Sequence, residues 1–216
     1  FNFMEQSSEI YNPHLKDIDI SAYLARNYDS EEMKALGHRI SVAPMLDITN
    51  IHFRFFMRLL TKHATLYTEM IHENAIMHNV EGTPKDLLRF HPIEHPLVLQ
   101  VGGNNPKQLA ECTKKCEALG YDEVNINIGC PSSRVQSGAF GACLMKEPDL
   151  VSECVSEMQK AVKIPVTIKT RLGVDSFDSY EFAHDFVKKT SEQGGVTHFI
   201  MHARKAFLKG LNPEIG

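Results

Sequence analysis

The chain has 216 residues, 43% hydrophobic and 23% charged with both signs interspersed, which suits a sizeable globular domain and argues against disorder. A net charge of −4 and a pI near 6.3 exclude a uniformly basic surface, so an RNA partner requires positive charge that is concentrated locally or supplied by another segment. No apolar run approaches the roughly 20 residues of a membrane span. The five cysteines have no framework spacing, which points to free thiols in a reducing compartment.

The chain opens at Phe1. Residues 1–39 read as a leader carrying Glu5, Glu9, Asp17 and Asp19, unlike an acid-poor transit peptide. The expected location is cytoplasmic, or an organelle should a targeting segment precede Phe1. ISVAPML (40–46) then predicts the first strand, and a helix follows over about 50–62, with Ile51, Phe55, Phe56, Leu59 and Leu60 as its apolar face. TLYTEM (65–70) reads as the second strand. Residues 71–96 are less regular, with a short helix expected over 84–90. His91 and His95 have helical spacing, but Pro92 and Pro96 break any helix there, so they make no zinc pair.

LVLQVGG (97–103) predicts a third strand. The helix after it has Asn105 as N-cap, Pro106 in the first turn and Gly120 as the stop. Cys112 and Cys116 fall on its apolar stripe with Leu109 and Leu119, so both read as small core residues. EVNINIG (123–129) is the fourth strand. A helix from Pro148 to about Val162 places Cys154 among Leu150, Val151, Val155 and Met158. PVTIKTRLG (165–173) is the fifth strand, a helix spans about 179–193 before Gly194-Gly195, and HFIMHAR (198–204) is the sixth strand.

Repeated strand–helix units imply parallel strands with right-handed crossovers. An open doubly wound sheet and a TIM (β/α)8 barrel both meet that condition; the polar residues favour the barrel. Alternation puts Asn125 and Asn127 on one strand face, and Thr167, Lys169 and Arg171 on one face of the next. Gln100, Cys130, Lys169, Arg171, His202 and Arg204 all lie late in their strands or just beyond, where barrel sites are built. The fold class is therefore α/β, with about six of eight barrel units within residues 40–216. Two more are expected after Gly216.

No Gly-x-Gly-x-x-Gly, Walker or Gly-x-Ser-x-Gly motif is present. Cys130 stands at the end of the fourth strand, between Gly129 and Pro131. A thiol, with a reference pKa of about 8.5, keeps its proton near neutrality and can deliver it as a general acid. A packed cysteine before a proline turn is the alternative. The Asn127 amide suits the carbonyl or imide edge of a planar ring. Lys169, flanked by Val166, Ile168 and Leu172, either snorkels to solvent, pairs with a carboxylate, or stabilises negative charge on a bound group. Arg171 and Arg204 fit a phosphate or an acid such as Glu69, and His202 a cofactor or phosphate hydrogen bond; His198 receives no role.

From about 40 to 212 the chain resembles the tRNA-dihydrouridine synthases, and most closely their A-type subgroup, which modifies positions 20 and 20a of the tRNA D-loop. The resemblance rests on SVAPMLDITNIHFRFF, LYTEM, EHPLVLQVGGNNP, GYDEVNINIGCPSSRVQSGAFGACLM, IPVTIKTRLG, DSYEF and HARKAFLKGLNP. It implies an FMN enzyme on a TIM barrel, a following helical domain that grips tRNA, and NADPH as electron donor. It further implies hydride transfer to C6 of a uridine and protonation of C5 by Cys130 in NIGCPS, rather than by Cys143 in GACL. Pro44, Met45, Leu46, Gln100, Lys169 and His202 match the family's flavin contacts. Asn127, Lys169 and Arg171 match groups near the uracil or the flavin edge. From the residues themselves, no metal and no membrane partner are expected. Another FMN barrel acting on a free pyrimidine, of the dihydroorotate dehydrogenase kind, and a non-catalytic barrel fragment or RNA-binding scaffold are the competing readings.

Overall fold

The computed structural model describes residues 40–83 and 86–209, apart from the side chain of Arg134. The leader expected over 1–39 lies outside the described residues. The strands are β1 (Ser41–Val42), β2 (Thr65–His72), β3 (Leu97–Gly102), β4 (Glu123–Ile128), β5 (Val166–Arg171) and β6 (Phe199–His202). They belong to one sheet in the order β1-β2-β3-β4-β5-β6. The registered pairs β1/β2, β3/β4, β4/β5 and β5/β6 are all parallel. A doubly wound sheet reverses its strand order at a switch point. Here the order follows the chain without reversal, the winding of a TIM barrel.

The helices are α1 (Ile51–Leu60), α2 (Glu73–Met77), α3 (Pro106–Leu119), α4 (Ser133–Ser137), α5 (Pro148–Ala161) and α6 (Tyr180–Glu192), with 3-10 turns at Pro92–Glu94 and Gly141–Lys146. The long helices match the expected ones to within two residues at either end. Of the expected 84–90 helix, residues 86–90 form a turn instead: the Asp86 carboxylate accepts from Asn79 Nδ2 and Leu88 N. The first strand shortens to two residues because the chain enters a turn after Pro44, and Asp47 sits at φ 62°, outside any strand conformation.

Two compact units are distinguished, Phe1–Glu69 with Asn79–Leu97, and Met70–His78 with Val98–Gly216. In the first, α1 corrects the expected apolar face. Asn50 caps it, accepting from His52 N and Phe53 N at 3.1 Å. Its buried residues are Arg54, Phe55 and Arg58, while Phe56, Leu59 and Leu60 are exposed. Arg54 Nε meets Glu94 Oε2 at 2.6 Å, and its Nη1 donates to Thr49 O at 2.8 Å. Arg58 Nη2 donates to Glu94 O at 2.7 Å. Two guanidinium groups tolerate burial there because a carboxylate and main-chain carbonyls meet them.

In the second unit, β3 and β4 are buried along their whole length, as central parallel strands are. Asn105 caps α3, and Gly120 ends it at φ 93°, a left-handed conformation that glycine adopts without strain. Helices α3 and α5 pack together through faces that include Leu109, Cys112 and Cys116 on one, and Val151, Cys154, Val155 and Met158 on the other. Burial pushes Cys112 and Cys154 up to about 12 and raises Cys116 as well, so all three are inert core thiols. Among the described residues, no helix is long and apolar enough to cross a membrane, and no group of three His, Cys, Asp or Glu is placed to hold a metal ion.

Candidate functional site

The register of the second unit builds the site in rows. Gln100 pairs with Asn125, and Asn125 with Thr167. One pleat further on, Asn127 pairs with Lys169; another pleat on, Arg171 pairs with His202. Paired residues of parallel strands share a face, so the polar positions of β4 and β5 point to the same side.

The lower row is a closed amide network. Gln100 Nε2 donates to Asn125 Oδ1 at 2.8 Å, and Asn125 Nδ2 to Thr167 Oγ1 at 2.9 Å. Thr167 Oγ1 donates to Glu123 Oε1 at 2.5 Å. Gln100 is 1% exposed, so any contact it makes to a ligand comes from an amide already anchored in the sheet. Asn127 Nδ2 donates to Gln100 Oε1 at 2.9 Å. Its Oδ1 accepts from Gly129 N at 3.1 Å and Cys130 N at 2.9 Å. That oxygen closes the turn that ends β4, leaving one Nδ2 hydrogen of Asn127 to offer outward.

Cys130 follows two residues after β4 and is half-buried. Its carbonyl accepts from Ala142 N at 3.0 Å, so its backbone is held on both sides. Gly141 adopts φ +69°, and a Cβ there would lie 2.7 Å from the Cys130 carbonyl oxygen and 2.3 Å from Val135 Cγ1. GCPSSRV and GACL, apart in sequence, are thus one interlocked element. Gln136 Nε2 donates to Pro131 O at 2.7 Å and also to Leu208 O, tying this loop to the segment after β6. The thiol itself points to Ser132 Oγ at 3.6 Å. Cys143 is a separate free thiol in the 3-10 turn.

Cations gather beside Cys130. Arg171 Nε donates to Gly129 O at 3.0 Å. Lys169 is half-buried and, among the described residues, has no hydrogen-bond or ion-pair partner; the expected alternative of a carboxylate partner is not realised. Burial, then the charge of Arg171, pull the Lys169 pKa down, while Cys130 acts the other way. Burial and Arg204 do the same to Arg171. His202 is exposed at the end of β6, and desolvation followed by Arg171, Lys169 and Arg204 lowers its pKa, which keeps its imidazole neutral at pH 7. Four cationic or basic groups thus share a region where, among the described residues, no carboxylate is paired with them, a setting for an anionic or electron-rich ligand.

Pro44, Met45 and Leu46 lie in the turn after β1, in the first unit, with Met45 and Leu46 exposed. There the Glu69 carboxylate accepts from Asp47 N at 2.6 Å. Sequence reasoning overlooked Glu123 and Gly141. Glu123 carried a legible signal: it shares strand parity with Asn125 and Asn127. Gly141 carried none, because its neighbour is Cys130, 11 residues earlier.

Burial pushes Glu123 up to about 7; the Thr167 hydrogen bond opposes that rise and Asp122 adds to it. At the start of α2, Glu73 is also raised by burial, against the lowering effect of the Asn105 and Asn104 amides.

A thiol, a row of amides and a group of cations at the C-terminal ends of successive parallel strands have the placement of a TIM-barrel site. The chain belongs to the dihydrouridine synthase family: a profile described as Dihydrouridine synthase (Dus) matches residues 41–212. It is 56% identical over 176 residues to the tRNA-dihydrouridine(20/20a) synthase of Vibrio parahaemolyticus, covering 82% of this chain and 53% of that protein. To the protein of the same name from Synechocystis it is 56% identical over 175 residues, covering 81% and 51%. To that from Salmonella typhi it is 53% identical over 178 residues, covering 82% and 52%. The chain spans about half the length of these curated relatives.

Proposed function

We propose that the protein reduces uridine to 5,6-dihydrouridine in tRNA, with positions 20 and 20a of the D-loop as targets, using FMN that NADPH re-reduces. The observation that carries this reading is Cys130, held by Asn127 and Ala142 at the mouth of the second unit's strands, within electrostatic reach of Lys169 and Arg171. Family membership and the names of the relatives support the substrate.

The residues present fit a flavin. Lys169, without a carboxylate partner among the described residues, matches the electron-rich edge of an isoalloxazine ring. His202, whose pKa is lowered by desolvation and then by its cationic neighbours, supplies a ring nitrogen for a further hydrogen bond, and Gln100 lies beneath with its amide orientation set. On the resemblance alone, Pro44, Met45 and Leu46 are assigned to the same cofactor. When bound, reduced FMN supplies the hydride that C6 of the uracil takes.

The chain's own part is positional and acid-base. A base inside folded tRNA presents neither face, so it must leave its stack to meet Cys130. Asn127, through its outward Nδ2 hydrogen, and Arg171 orient the uracil. The Cys130 thiol gives its proton to C5 as the C5=C6 double bond is consumed, so hydride and proton together account for the two added hydrogens. The resulting thiolate lies among Lys169 and Arg171, which stabilise it until a proton returns.

The test is to isolate the intact protein, record its visible spectrum for flavin, and count dihydrouridine at each D-loop position after adding unmodified tRNA and NADPH. Flavin absorption and product at 20 and 20a are expected. Turnover of free dihydroorotate with none on tRNA would replace this reading with the free-pyrimidine one.

A further inference from the structure

Glu123 is buried, carries an ionisable carboxyl, and has no part in the chemistry above. It is nonetheless joined to Cys130. The Cys130 amide donates to Asn127 Oδ1 at 2.9 Å, Asn127 Nδ2 to Gln100 Oε1 at 2.9 Å, and Gln100 Nε2 to Asn125 Oδ1 at 2.8 Å. Asn125 Nδ2 then donates to Thr167 Oγ1 at 2.9 Å, and Thr167 Oγ1 to Glu123 Oε1 at 2.5 Å. All five bonds run the same way. From Gln100 through Asn125 and Thr167 to Glu123, no residue is more than 3% exposed, so water does not substitute for a missing partner.

We infer that Glu123 is a positioning residue for Cys130, acting through this one-way ladder of amides. The deduction rests on donor and acceptor inventories. A main-chain N–H can only donate, which fixes Oδ1 of Asn127 toward Cys130. At the far end, Glu123 Oε1 accepts whether the carboxyl is ionised or protonated on its other oxygen. By taking the Thr167 hydrogen, it leaves the Thr167 oxygen to accept from Asn125. Each amide between has two orientations, and only one agrees with both ends.

Without Glu123, Thr167 is at liberty to donate to Asn125. Asn125 turning over to accept that hydrogen sets the far end of the ladder against the near end, where the amides of Gly129 and Cys130 hold Asn127 Oδ1. The conflict is met by lengthened bonds along the row, and the turn that carries the thiol loosens. The inference deepens the proposed uridine reduction and depends on it only for the activity readout.

A purely structural carboxyl predicts something different. Removing it costs stability at the unpaired Thr167 hydroxyl, and leaves a turn several residues away unchanged. The experiment uses the intact, flavin-loaded protein labelled with [15N]cysteine, in wild-type form and as Glu123→Leu, Thr167→Val and Thr167→Ser. Hydrogen exchange of the Cys130 amide is read by NMR, and dihydrouridine formation is read in a single turnover with tRNA. In Glu123→Leu and Thr167→Val the amide is expected to exchange about fivefold faster, the weight of one net hydrogen bond, and the rate to fall by a similar factor at unchanged KM for tRNA. Thr167→Ser, which keeps the hydroxyl, restores both. Wild-type exchange and rate in folded Glu123→Leu overturn the inference, and that variant alone decides if Thr167→Val does not fold. A wild-type protein without activity on tRNA strikes the proposed function instead, and the exchange measurement still judges the ladder.

Discussion

Gly141 lies against the main chain of Cys130, and there is no room between them for a methyl group. A Cβ on Gly141 would stand 2.7 Å from the Cys130 carbonyl oxygen, in a backbone conformation of φ +69° that side chains rarely adopt. Two sequence blocks are therefore bound by a contact that only glycine permits. Gly141→Ala is expected to destabilise the fold by about 1–3 kcal/mol through strain. It should also displace the thiol and lower product formation; a chemical-denaturation midpoint and activity both equal to wild type would contradict the contact.

The two accessible thiols are separable by mutation. Cys130→Ala is expected to retain flavin and tRNA binding while losing about 100-fold or more of dihydrouridine formation, the usual contribution of a general acid. Cys143→Ala, which removes the free thiol of the 3-10 turn, is expected to stay near wild type. Side-by-side single-turnover assays decide between the two cysteines.

Lys169 offers charge without a carboxylate partner among the described residues. Lys169→Met keeps most of the unbranched side chain and removes that charge. Flavin affinity or the rate of flavin reduction is expected to drop about tenfold, in line with a hydrogen bond to a charged group. An unchanged flavin titration together with an unchanged reduction rate would refute its electrostatic role.

In the first unit, Arg54 and Glu94 form an ion pair at 2.6 Å with side chains 6% and 0% exposed. Glu94→Ala leaves a buried guanidinium without its carboxylate. The expected loss is about 3–5 kcal/mol of stability, read from urea unfolding of the purified variant. A Phe56→Ser change on the exposed side of the same helix is expected to fall within about 0.5 kcal/mol of wild type.

Glu123 predicts a pH signature. Its folded pKa, pushed up to about 7 by burial with a smaller rise from Asp122, exceeds the ordinary 4.5. The folded state therefore holds the proton more tightly than the unfolded chain. The associated stability is complete below pH 4.5 and is lost as the pH climbs to about 7, a swing of about 3 kcal/mol at most. Subtracting the stability curve of Glu123→Gln from that of wild type isolates this swing from the other carboxylates; a flat difference between pH 4.5 and 7 would count against the raised pKa.

Much of this architecture is written locally. Asn105, Pro106 and Gly120 bound α3 through interactions within a few residues, so composition and spacing suffice to place the helix. The alternation of β4 and β5 likewise assigns Asn125, Asn127, Thr167, Lys169 and Arg171 to strand faces, and the motif around Cys130 marks the site. The α1 face was misread because the hydrophobic pattern has no means of showing that Glu94, 40 residues from Arg54, waits to receive a buried guanidinium.

The sequence by itself determined the order of strands and helices, the placement of polar groups at strand ends, and membership in a family, since these depend on periodicity, caps and motifs that neighbouring residues carry. Only the tertiary structure decided that Asn127 spends its oxygen on the Cys130 turn, that Gly141 supports that turn from behind, and that Glu123 stands at the end of a one-way row of amides. Hydrogen-bond direction depends on which donors and acceptors meet across strands, and parallel pairing brings together residues some 20 to 45 positions apart.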